Sequence, residues 1–399
     1  MTKPIGPLCN IGCEYCFYLE KEKLFGGDER FRMTNEVLER YVRDYIEAQP
    51  AGAEVTFAWQ GGEPTLMGLD FFKRAVALQK QHGAGRLIHN AFQTNATRLD
   101  AAWCDFFREE NFLIGVSIDG PQRLHDSYRV DKQGKGTFDR VMAGISLLKK
   151  YRVEFNTLTC VHRANVDHAL EVYRFLKKIG SGFIQFIPIV ERLPDGEAAK
   201  LGLDLHHPPA PESTDEEVTE PVTRWSVGPK RFGKFLCTIF DEWVQKDVGK
   251  VYVQLFDVAF GTWLGMGSSL CVHAETCGTA LAIEHNGDVY SCDHYVYPKY
   301  RLGNVMNQSI RSMVDSPEQV AFGQAKKGRL PKYCRNCEYL FACGGDCPKH
   351  RFATTPDGEA GLSYLCPAYK RFFAHVDPAM CTMSQLYQEG RAPAEIMRL

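Results

Sequence analysis

Residues 9–16 read Cys-Asn-Ile-Gly-Cys-Glu-Tyr-Cys, so Cys9, Cys13 and Cys16 share one short segment. Three thiolates on one loop can hold three corners of a four-iron cluster and leave the fourth iron free for a substrate. The spacing alone also permits a zinc site that takes its fourth ligand from elsewhere in the chain. The loop therefore predicts a metal centre, and we favour an iron–sulfur cluster with an open iron.

The cysteine content of the whole chain also favours metal chemistry. The 399 residues include 15 cysteines, an odd number, and cytoplasmic thiols stay reduced, so metal binding is expected rather than a disulfide framework. Eight of them form a second group in the last third of the chain: Cys271, Cys277, Cys292, Cys334, Cys337, Cys343, Cys347 and Cys366. The four others are expected to be small buried hydrophobic residues: Cys104, Cys160, Cys237 and Cys381.

The overall composition excludes several classes of protein. Lys and Arg number 47 against 49 Asp and Glu, so the chain lacks the basic excess of a nucleic-acid binder. The longest apolar run, residues 112–118, is far shorter than the about 20 residues that span a bilayer. The N-terminus has no apolar core of a secretory signal. We therefore expect a cytoplasmic globular protein that has neither nucleic acid nor membrane as a partner.

Strand and helix patterns alternate between the two cysteine groups. The predicted strands cover residues 55–59, 87–92, 112–118, 153–161 and 183–190. The predicted helices cover residues 34–48, 68–82, 100–110, 137–150 and 166–176. Such alternation predicts a parallel sheet, and about six units are too few for a closed eight-stranded barrel. The predicted fold class is α/β, a partial (βα)6 TIM-like barrel with a C-terminal cysteine-rich domain.

The same patterns suggest where the chain divides. We expect a barrel, a polar insert, a helical connector, the cysteine-rich domain and a C-terminal tail at residues 1–190, 191–229, 230–270, 271–375 and 376–399. The insert is interpreted as a solvated linker, with a flap over the active site as the alternative. Only eight residues precede Cys9, so the first strand is expected to be short unless an upstream start is missing.

The first cysteine loop resembles the signature of the radical S-adenosylmethionine (radical SAM) superfamily. The superfamily usually has an aromatic residue between the second and third cysteines, and Tyr15 occupies that position here. The resemblance implies that Cys9, Cys13 and Cys16 bind a [4Fe-4S] cluster and that S-adenosyl-L-methionine (SAM) binds at its open iron.

A second motif extends this resemblance. Residues 61–64 read Gly-Gly-Glu-Pro, which looks like the Gly-Gly-Glu motif of the superfamily. By that resemblance Gly62 and Glu63 would contact the amino group of SAM. Taken alone, the motif indicates only a turn.

Further SAM contacts are implied by the same resemblance. Ser117 and Arg129 would hold the ribose and the carboxylate, Val190 would line the adenine pocket, and Tyr15 would contribute backbone contacts. The simpler alternatives are a serine at the end of a strand and an arginine on the surface. These positions fall at the carboxyl ends of strands, where parallel α/β sheets place their sites.

The eight later cysteines have a spacing similar to that of the SPASM domain, which carries two auxiliary four-iron clusters. The interleaved assignment of that family implies one cluster on the first cysteine set, Cys271, Cys277, Cys292 and Cys347. It implies another on the second cysteine set, Cys334, Cys337, Cys343 and Cys366. The resemblance therefore implies three [4Fe-4S] clusters in all, and a pair of zinc ribbons is the alternative.

Within the superfamily the chain most resembles the anaerobic sulfatase-maturating enzymes. The likeness runs over nearly the whole length and is close at residues 59–64, 184–188 and 290–294. Such enzymes oxidise one Cys or Ser of a sulfatase to Cα-formylglycine. The implied partners are a sulfatase polypeptide that carries a Cys/Ser-x-Pro/Ala-x-Arg segment and an electron donor, either a flavodoxin or a ferredoxin.

This closer resemblance also implies residues that act on the substrate. Asp293 follows Cys292 and matches the general base of the family. Burial near the clusters is expected to raise its carboxyl pKa, which suits a base. Gln60 and Tyr18 would orient the target peptide. The alternatives are an Asx-type cap for Asp293 and core packing for Gln60 and Tyr18.

Two other functions remain open from the sequence. One is another SPASM peptide maturase that forms thioether or carbon–carbon crosslinks in a ribosomal peptide. Such enzymes often carry an N-terminal peptide-recognition domain, which we do not expect in the few residues before Cys9. The other is a non-catalytic zinc-binding interaction module.

Overall fold

The computed structural model describes residues 1–25, 31–180, 182–211 and 222–399. The strands of this part of the chain are β1 (Thr2–Lys3), β2 (Val55–Trp59), β3 (Ile88–Thr94), β4 (Leu113–Ser117), β5 (Phe155–Val161), β6 (Phe183–Pro188), β7 (Tyr252–Val253), β8 (Ala282–Glu284), β9 (Asp288–Tyr290) and β10 (Arg301–Asn304). They form one sheet in the order β10-β9-β8-β1-β2-β3-β4-β5-β6-β7. All neighbours from β8 through β1 to β7 are parallel, whereas β8, β9 and β10 pair antiparallel.

Helices follow most of the parallel strands and cover the sheet. In chain order the α-helices are α1 (Asn35–Ala48), α2 (Leu69–His82), α3 (Ala101–Glu109), α4 (Gln122–His125), α5 (Phe138–Lys150), α6 (Ala169–Ile179), α7 (Gly196–Lys200), α8 (Pro229–Lys246), α9 (Gln254–Trp263), α10 (Ile310–Val314), α11 (Pro317–Gly328), α12 (Lys332–Arg335), α13 (Leu340–Cys343) and α14 (Cys366–Gln388). Six βα units in parallel order confirm the predicted partial barrel.

The local boundaries agree closely with the sequence patterns. Strand β2 has the predicted bounds, and the hydroxyl of Thr34 accepts a hydrogen bond from Val37 N (3.3 Å) at the start of α1. Helix α6 begins three residues later than predicted. The reason is a turn in which the Asn165 side chain accepts a hydrogen bond from His162 N (2.8 Å) and keeps the chain out of helix.

The junction of the barrel with the cysteine-rich part was not visible in the sequence. Strand β1 pairs in parallel with β2 on one side and with β8 on the other, with Lys3 opposite Glu284. The sheet therefore continues from the barrel into the hairpin of β8 and β9. Because β1 has only two residues, the short first strand that we expected is confirmed.

The predicted connector is not wholly helical. Strand β7 lies between α8 and α9 and pairs in parallel with β6, so the sheet gains a further edge strand. Helix α8 packs on α14, where a Cβ at Gly233 would stand 3.0 Å from the Cα of Ala368. Phe232, Phe235 and Phe240 of α8 are almost fully buried, and each buried phenylalanine stabilises the fold by roughly 1.5–3 kcal/mol.

The described part of the insert is anchored to the rest of the molecule. The side chain of Glu20 accepts a hydrogen bond from Asp204 N (2.7 Å), and the hydroxyl of Tyr295 donates one to Pro209 O (2.9 Å). These contacts favour the flap interpretation over a solvated linker for residues 191–211. The insert also includes residues 212–221, which lie outside the described residues.

Among the helices of the described residues, none combines the length and the apolar character needed to cross a membrane.

Candidate active site and cluster sites

The N-terminal cysteine loop rests on the turn after β2. Gly62 N donates a hydrogen bond to Gly6 O (2.8 Å), and Glu63 N donates one to Leu8 O (2.8 Å). A Cβ at Gly62 would overlap the carbonyl of Leu8, so this close approach requires glycine. The turn therefore positions the backbone of the loop that carries Cys9.

The carboxylate of Glu63 anchors the end of β3. Its Oε1 accepts hydrogen bonds from Thr65 N (3.1 Å), Thr65 Oγ1 (2.7 Å) and Thr94 Oγ1 (2.8 Å). Its Oε2 accepts one from Asn95 N (2.8 Å). Burial raises the pKa of Glu63, whereas these donors lower it. The Asn95 side chain in turn reaches Cys9 Sγ (3.7 Å), so Glu63 and the loop are linked through Asn95.

A buried carboxylate, Asp119, organises the loops after β4 and β5. It accepts hydrogen bonds from Arg129 Nε (2.8 Å), from Cys160 N (2.9 Å) and from the hydroxyl of Tyr15. Burial alone would raise the pKa of Asp119, but the charge of Arg129 holds it below its usual range. Sequence reasoning missed Asp119, although it stands two residues after Ser117 in the same strand-end segment.

Arg129 is buried rather than on the surface, so that simpler alternative is wrong. Its Nη1 lies 3.9 Å from Cys13 Sγ, and its Nη2 lies 3.6 Å from Cys160 Sγ. Its guanidinium stands 5.4 Å from the centre of the Tyr15 ring. The structure therefore brings Arg129 and Tyr15 together beside the cysteine loop. Cys160, which we expected to be a small buried hydrophobic residue, belongs to the same cluster of side chains.

The two remaining residues with implied SAM contacts lie at strand ends. Ser117 closes β4 and is buried. Val190 follows β6, is 2% exposed and lines a small cavity together with Phe17, His294 and Lys349. Both therefore lie at the edge of the sheet that faces the cysteine loop.

Asp293 forms an ion pair with Lys3 of β1. Burial raises the pKa of Asp293. The ammonium of Lys3 and the neighbouring His294 lower this pKa by a larger amount, so the net shift is downward. Our expectation of a raised pKa was therefore wrong, because it left out a cation that comes from the opposite end of the sequence. Asp293 is instead held in its ionised form, which is the form that accepts a proton.

Tyr18 and Gln60 lie near this ion pair. The hydroxyl of Tyr18 donates to Glu284 Oε1, and Lys3 Nζ stands 4.0 Å from the centre of the Tyr18 ring. Gln60 N donates to Thr2 O (2.9 Å), and its side chain contacts Met1 Sδ. The structure thus gathers Tyr18 with the Lys3–Asp293 pair and places Gln60 on the neighbouring strand end.

The electrostatic neighbours of the SPASM cysteines agree with the implied assignment. The thiols of Cys271 and Cys347 raise the pKa of Cys292 electrostatically, and Cys271 raises the pKa of Cys277. In the second set, Cys334 and Cys366 raise the pKa of Cys343. The main thiol–thiol interactions of these residues join members of the same set.

One face of α11 supports the loops of the first set. Gln319 Nε2 donates to Gly278 O (2.6 Å) and to Ser291 O (3.1 Å), next to Cys277 and Cys292. A Cβ at Gly323 would overlap the carbonyl of Cys277, so the helix can approach this loop only through glycine. Sequence reasoning missed these residues because nothing in the pattern of α11 distinguishes this face from an ordinary buried one.

The loop from Cys343 to Cys347 joins the two sets. Gly344, Gly345 and Asp346 have successive φ values of 56°, 74° and 60°, a left-handed run that favours glycine. Asp346 tolerates this conformation because its Oδ2 accepts hydrogen bonds from Ser363 Oγ (2.7 Å) and from His350 Nδ1 (2.9 Å). The tight turn directs Cys343 into one set and Cys347 into the other.

The donor chemistry of these sites fits iron–sulfur clusters. Every proposed ligand is a thiol, and burial raises the pKa of Cys9 to about 12, so cluster assembly must displace the proton. Within the described residues, no group of three or more His, Cys, Asp or Glu side chains is arranged to hold a single ion.

A partial parallel barrel with a three-cysteine loop at its carboxyl edge, followed by a cysteine-rich domain, defines a radical SAM enzyme. The chain matches the radical SAM superfamily over residues 4–176 and the iron-sulfur cluster-binding SPASM domain over residues 271–338. These matches confirm the predicted fold class. They also confirm the predicted cofactors, which are SAM, a [4Fe-4S] cluster and the additional iron–sulfur clusters of the SPASM domain.

Relatives of this chain carry more specific names. It is 46% identical, over 100% of its length and 94% of the relative, to the serine-type anaerobic sulfatase-maturating enzyme of Bacteroides thetaiotaomicron. It is 33% identical, over 96% of its length and 97% of the relative, to the cysteine-type anaerobic sulfatase-maturating enzyme of Clostridium perfringens. The chain belongs to the family of anaerobic sulfatase-maturating enzymes. This membership excludes the non-catalytic zinc-binding module.

The fold also matches a solved structure of such an enzyme. The structure described as native anSMEcpe with bound AdoMet and Cp18Cys peptide is 32% identical, with a TM-score of 0.81. The match covers 97% of this chain and 98% of that one. The similarity therefore extends through both the barrel and the cysteine-rich part.

Proposed function

We propose that this chain oxidises one Cys or Ser of a sulfatase polypeptide to Cα-formylglycine. The observation that carries the proposal is a contact between the residues after Cys16 and the residues after Cys292. The Phe17 ring lies 5.0 Å from the His294 ring, and the Tyr18 ring lies against the Lys3 ammonium that pairs with Asp293. A proton acceptor and the first cysteine loop therefore meet at one place.

Three sets of cysteines would hold the clusters. We assign the SAM-binding cluster to Cys9, Cys13 and Cys16, and the auxiliary clusters to the two SPASM cysteine sets. When bound, the cofactors would remove a hydrogen atom from the target Cβ and accept one electron. The all-thiol composition supports this assignment, as do the electrostatic interactions between thiols of the same set.

The remaining proton belongs to the residues of the chain. The target loses one hydrogen atom, one proton and one electron, which leaves an aldehyde from Ser and a thioaldehyde from Cys. Water then exchanges the sulfur of the thioaldehyde for oxygen. We assign the proton to Asp293, because Lys3 keeps this carboxylate ionised before the reaction. Tyr18 and Gln60 would orient the peptide backbone beside it.

Further residues would contact SAM at the edge of the sheet, namely Tyr15, Gly62, Glu63, Ser117, Arg129 and Val190. Several observations support this assignment. Arg129 is a buried cation next to Cys13, and Gly62 touches the backbone of the cysteine loop. Asp119, which holds Arg129 and Tyr15, would act as a positioning residue for both.

A cavity supports entry of an extended peptide. A cavity of about 960 Å³ is lined by residues of the insert, by the segment 297–300 and by the loop around Phe352. It shares Arg192, His207 and Phe352 with the smaller cavity that reaches Phe17 and His294. A peptide bound in the larger cavity would lie next to the smaller one, whose lining includes His294, the neighbour of Asp293. Because the smaller cavity encloses only about 10 Å³, its lining would have to move for the target residue to enter. A flavodoxin or a ferredoxin would supply the electron for each cycle.

Anaerobic incubation with SAM, a reductant and a peptide that carries the Cys/Ser-x-Pro/Ala-x-Arg segment tests the proposal. A Ser peptide should lose about 2 Da and a Cys peptide about 18 Da, since each becomes the aldehyde. The same peptide with Ala at the target position is the control. Absence of both mass changes, together with an internal crosslink, would instead support a crosslinking maturase.

A further inference from the structure

Two buried cations lie among the SPASM cysteine loops. Lys326 of α11 is 0% exposed, and its Nζ donates hydrogen bonds to Cys271 O (2.6 Å), Val272 O (3.1 Å) and Ala274 O. The residues that it contacts form the loop that begins with a ligand of the first cysteine set. Lys326 therefore places its ammonium directly behind the loop that carries Cys271.

Arg351 is the second buried cation, and it lies between the two sets. Its guanidinium donates to four carbonyls, those of Gly345 (2.9 Å), Lys326 (2.5 Å), Gly344 (3.3 Å) and Asp346 (3.0 Å). Burial lowers the pKa of Arg351. The sulfur of Cys347 in the first set raises this pKa, as do the sulfurs of Cys334 and Cys343 in the second set.

Neither cation forms an ion pair with a carboxylate among the described residues. Asp346 raises the pKa of both, but its single negative charge cannot balance two buried cations. Carbonyl dipoles alone compensate a buried ammonium or guanidinium poorly, because removal of a charge from water costs several kcal/mol. A net negative charge close by is required to balance them.

The thiolates of the two sets can supply that charge. Burial lowers the pKa of Lys326, whereas the sulfurs of Cys347 and Cys277 raise it and so favour its charged form. Four thiolates carry more negative charge than the iron–sulfide core neutralises, so each loaded set is a buried anion. A fixed cation beside such an anion favours its reduced form, which carries one more negative charge.

We propose that Lys326 and Arg351 are positioning residues that raise the reduction potential of the SPASM clusters, Lys326 for the first set and Arg351 for both. This inference rests on the cluster assignment of the proposed function. The first set includes Cys292, the neighbour of Asp293, so its raised potential favours transfer of the electron that the target releases. When bound, an oxidised cluster on this set would accept the electron that the target releases, while Asp293 would take the proton.

A redox titration of the reconstituted protein without substrate, followed by electron paramagnetic resonance, tests this inference. Lys326→Met removes the buried charge with little change of shape. At a fixed potential, its first-set cluster should show an about tenfold lower ratio of reduced to oxidised form, or about 59 mV for a one-electron couple. Lys327→Met is the matched control, since Lys327 is exposed and pairs with Glu275 on the surface (2.5 Å).

The outcomes separate charge tuning from simple support of the loop. Equal potentials in Lys326→Met and wild type would overturn the inference. If Lys326→Met loses iron, Lys326→Gln keeps an N–H donor for the same carbonyls and gives the same comparison. Loss of iron from both variants, with Lys327→Met intact, would assign Lys326 to loop support and overturn tuning. Failure of the proposed function is distinct, because the wild type would then lack the clusters or leave the peptide unchanged.

Discussion

The Lys3 ammonium on β1 forms an ion pair with the Asp293 carboxylate, which directly follows Cys292. Lys3 is only 2% exposed, and the pair exists because β1 lies beside β8 in the sheet. The contact joins the strand before the first cysteine loop to a ligand loop of the cysteine-rich part. The proposed base and its counter-ion therefore come from the two parts of the chain that carry the proposed cluster ligands.

Removal of Lys3 should destabilise the protein through Asp293. Lys3→Met leaves a buried carboxylate without its partner, which should cost about 3–5 kcal/mol of the free energy of unfolding. The double variant Lys3→Met/Asp293→Asn removes both charges and should recover most of that cost. Denaturant unfolding of the four proteins measures the coupling. Costs that simply add in the double variant would show that the pair is not an interacting unit.

Asp293→Asn should separate SAM cleavage from product formation. Asparagine cannot accept the target's proton, so formylglycine formation should fall about 100-fold or more, while 5′-deoxyadenosine still forms. Mass spectrometry of the peptide and chromatography of the nucleoside measure the two steps. Asp315→Asn is the control, because Asp315 is exposed and pairs with Arg311 of the preceding turn. Wild-type peptide turnover by Asp293→Asn would remove Asp293 from the base role.

The iron content should match three clusters. Anaerobic reconstitution should load about twelve irons per chain, four on each of the three sites. Replacement of Cys9, Cys13 and Cys16 together by Ala should remove about four irons and abolish SAM cleavage, while the SPASM sites stay loaded. Elemental analysis and nucleoside assays measure both effects. Stoichiometric zinc in place of iron would contradict the assignment.

Gly323→Ala should damage the first SPASM site. The added Cβ would overlap the carbonyl of Cys277 and push this loop away from α11, so about four irons should be lost. Gly328→Ala is a matched control on the same helix, because nothing lies within 4 Å of a Cβ at that position. Iron analysis of both variants makes the comparison. Full iron retention by Gly323→Ala would show that the loop adapts.

Asp257 should make stability depend on pH. Burial raises the pKa of Asp257 to about 7, so between about pH 4 and pH 7 the folded chain holds a proton that the unfolded chain has released. The contribution of Asp257 to stability therefore falls as the pH rises, by about 3 kcal/mol between pH 5 and pH 8. Asp257→Asn should remove this dependence in denaturant unfolding.

Asp139→Asn provides the control for Asp257. Asp257 stands in the first turn of α9, and Asp139 stands in the first turn of α5. Asp139, however, is exposed. Its replacement should leave the pH dependence of the wild type in place. An equal loss of pH dependence in both variants would assign the effect to helix ends in general and not to burial.

Several parts of the site could be predicted from the sequence because they depend on nearby residues. The spacing of Cys9, Cys13 and Cys16 is a local property, and so is the Gly62-Glu63 turn that supports their loop. Asp119 and the buried face of α11 could not be predicted in this way. Their roles depend on Arg129, Cys160 and the cysteine loops, which reach them only through the folding of distant segments.

The sequence by itself determined the alternation of strands and helices and the choice of candidate cysteine ligands. Hydrophobic periodicity and cysteine spacing are carried by consecutive residues, so they can be recognised before folding. Only the tertiary structure decided that β1 pairs with β8, that Lys3 lowers the pKa of Asp293, and that Lys326 lies behind the first cysteine set. Strand order and through-space charge depend on which distant segments meet, and no local pattern encodes that meeting.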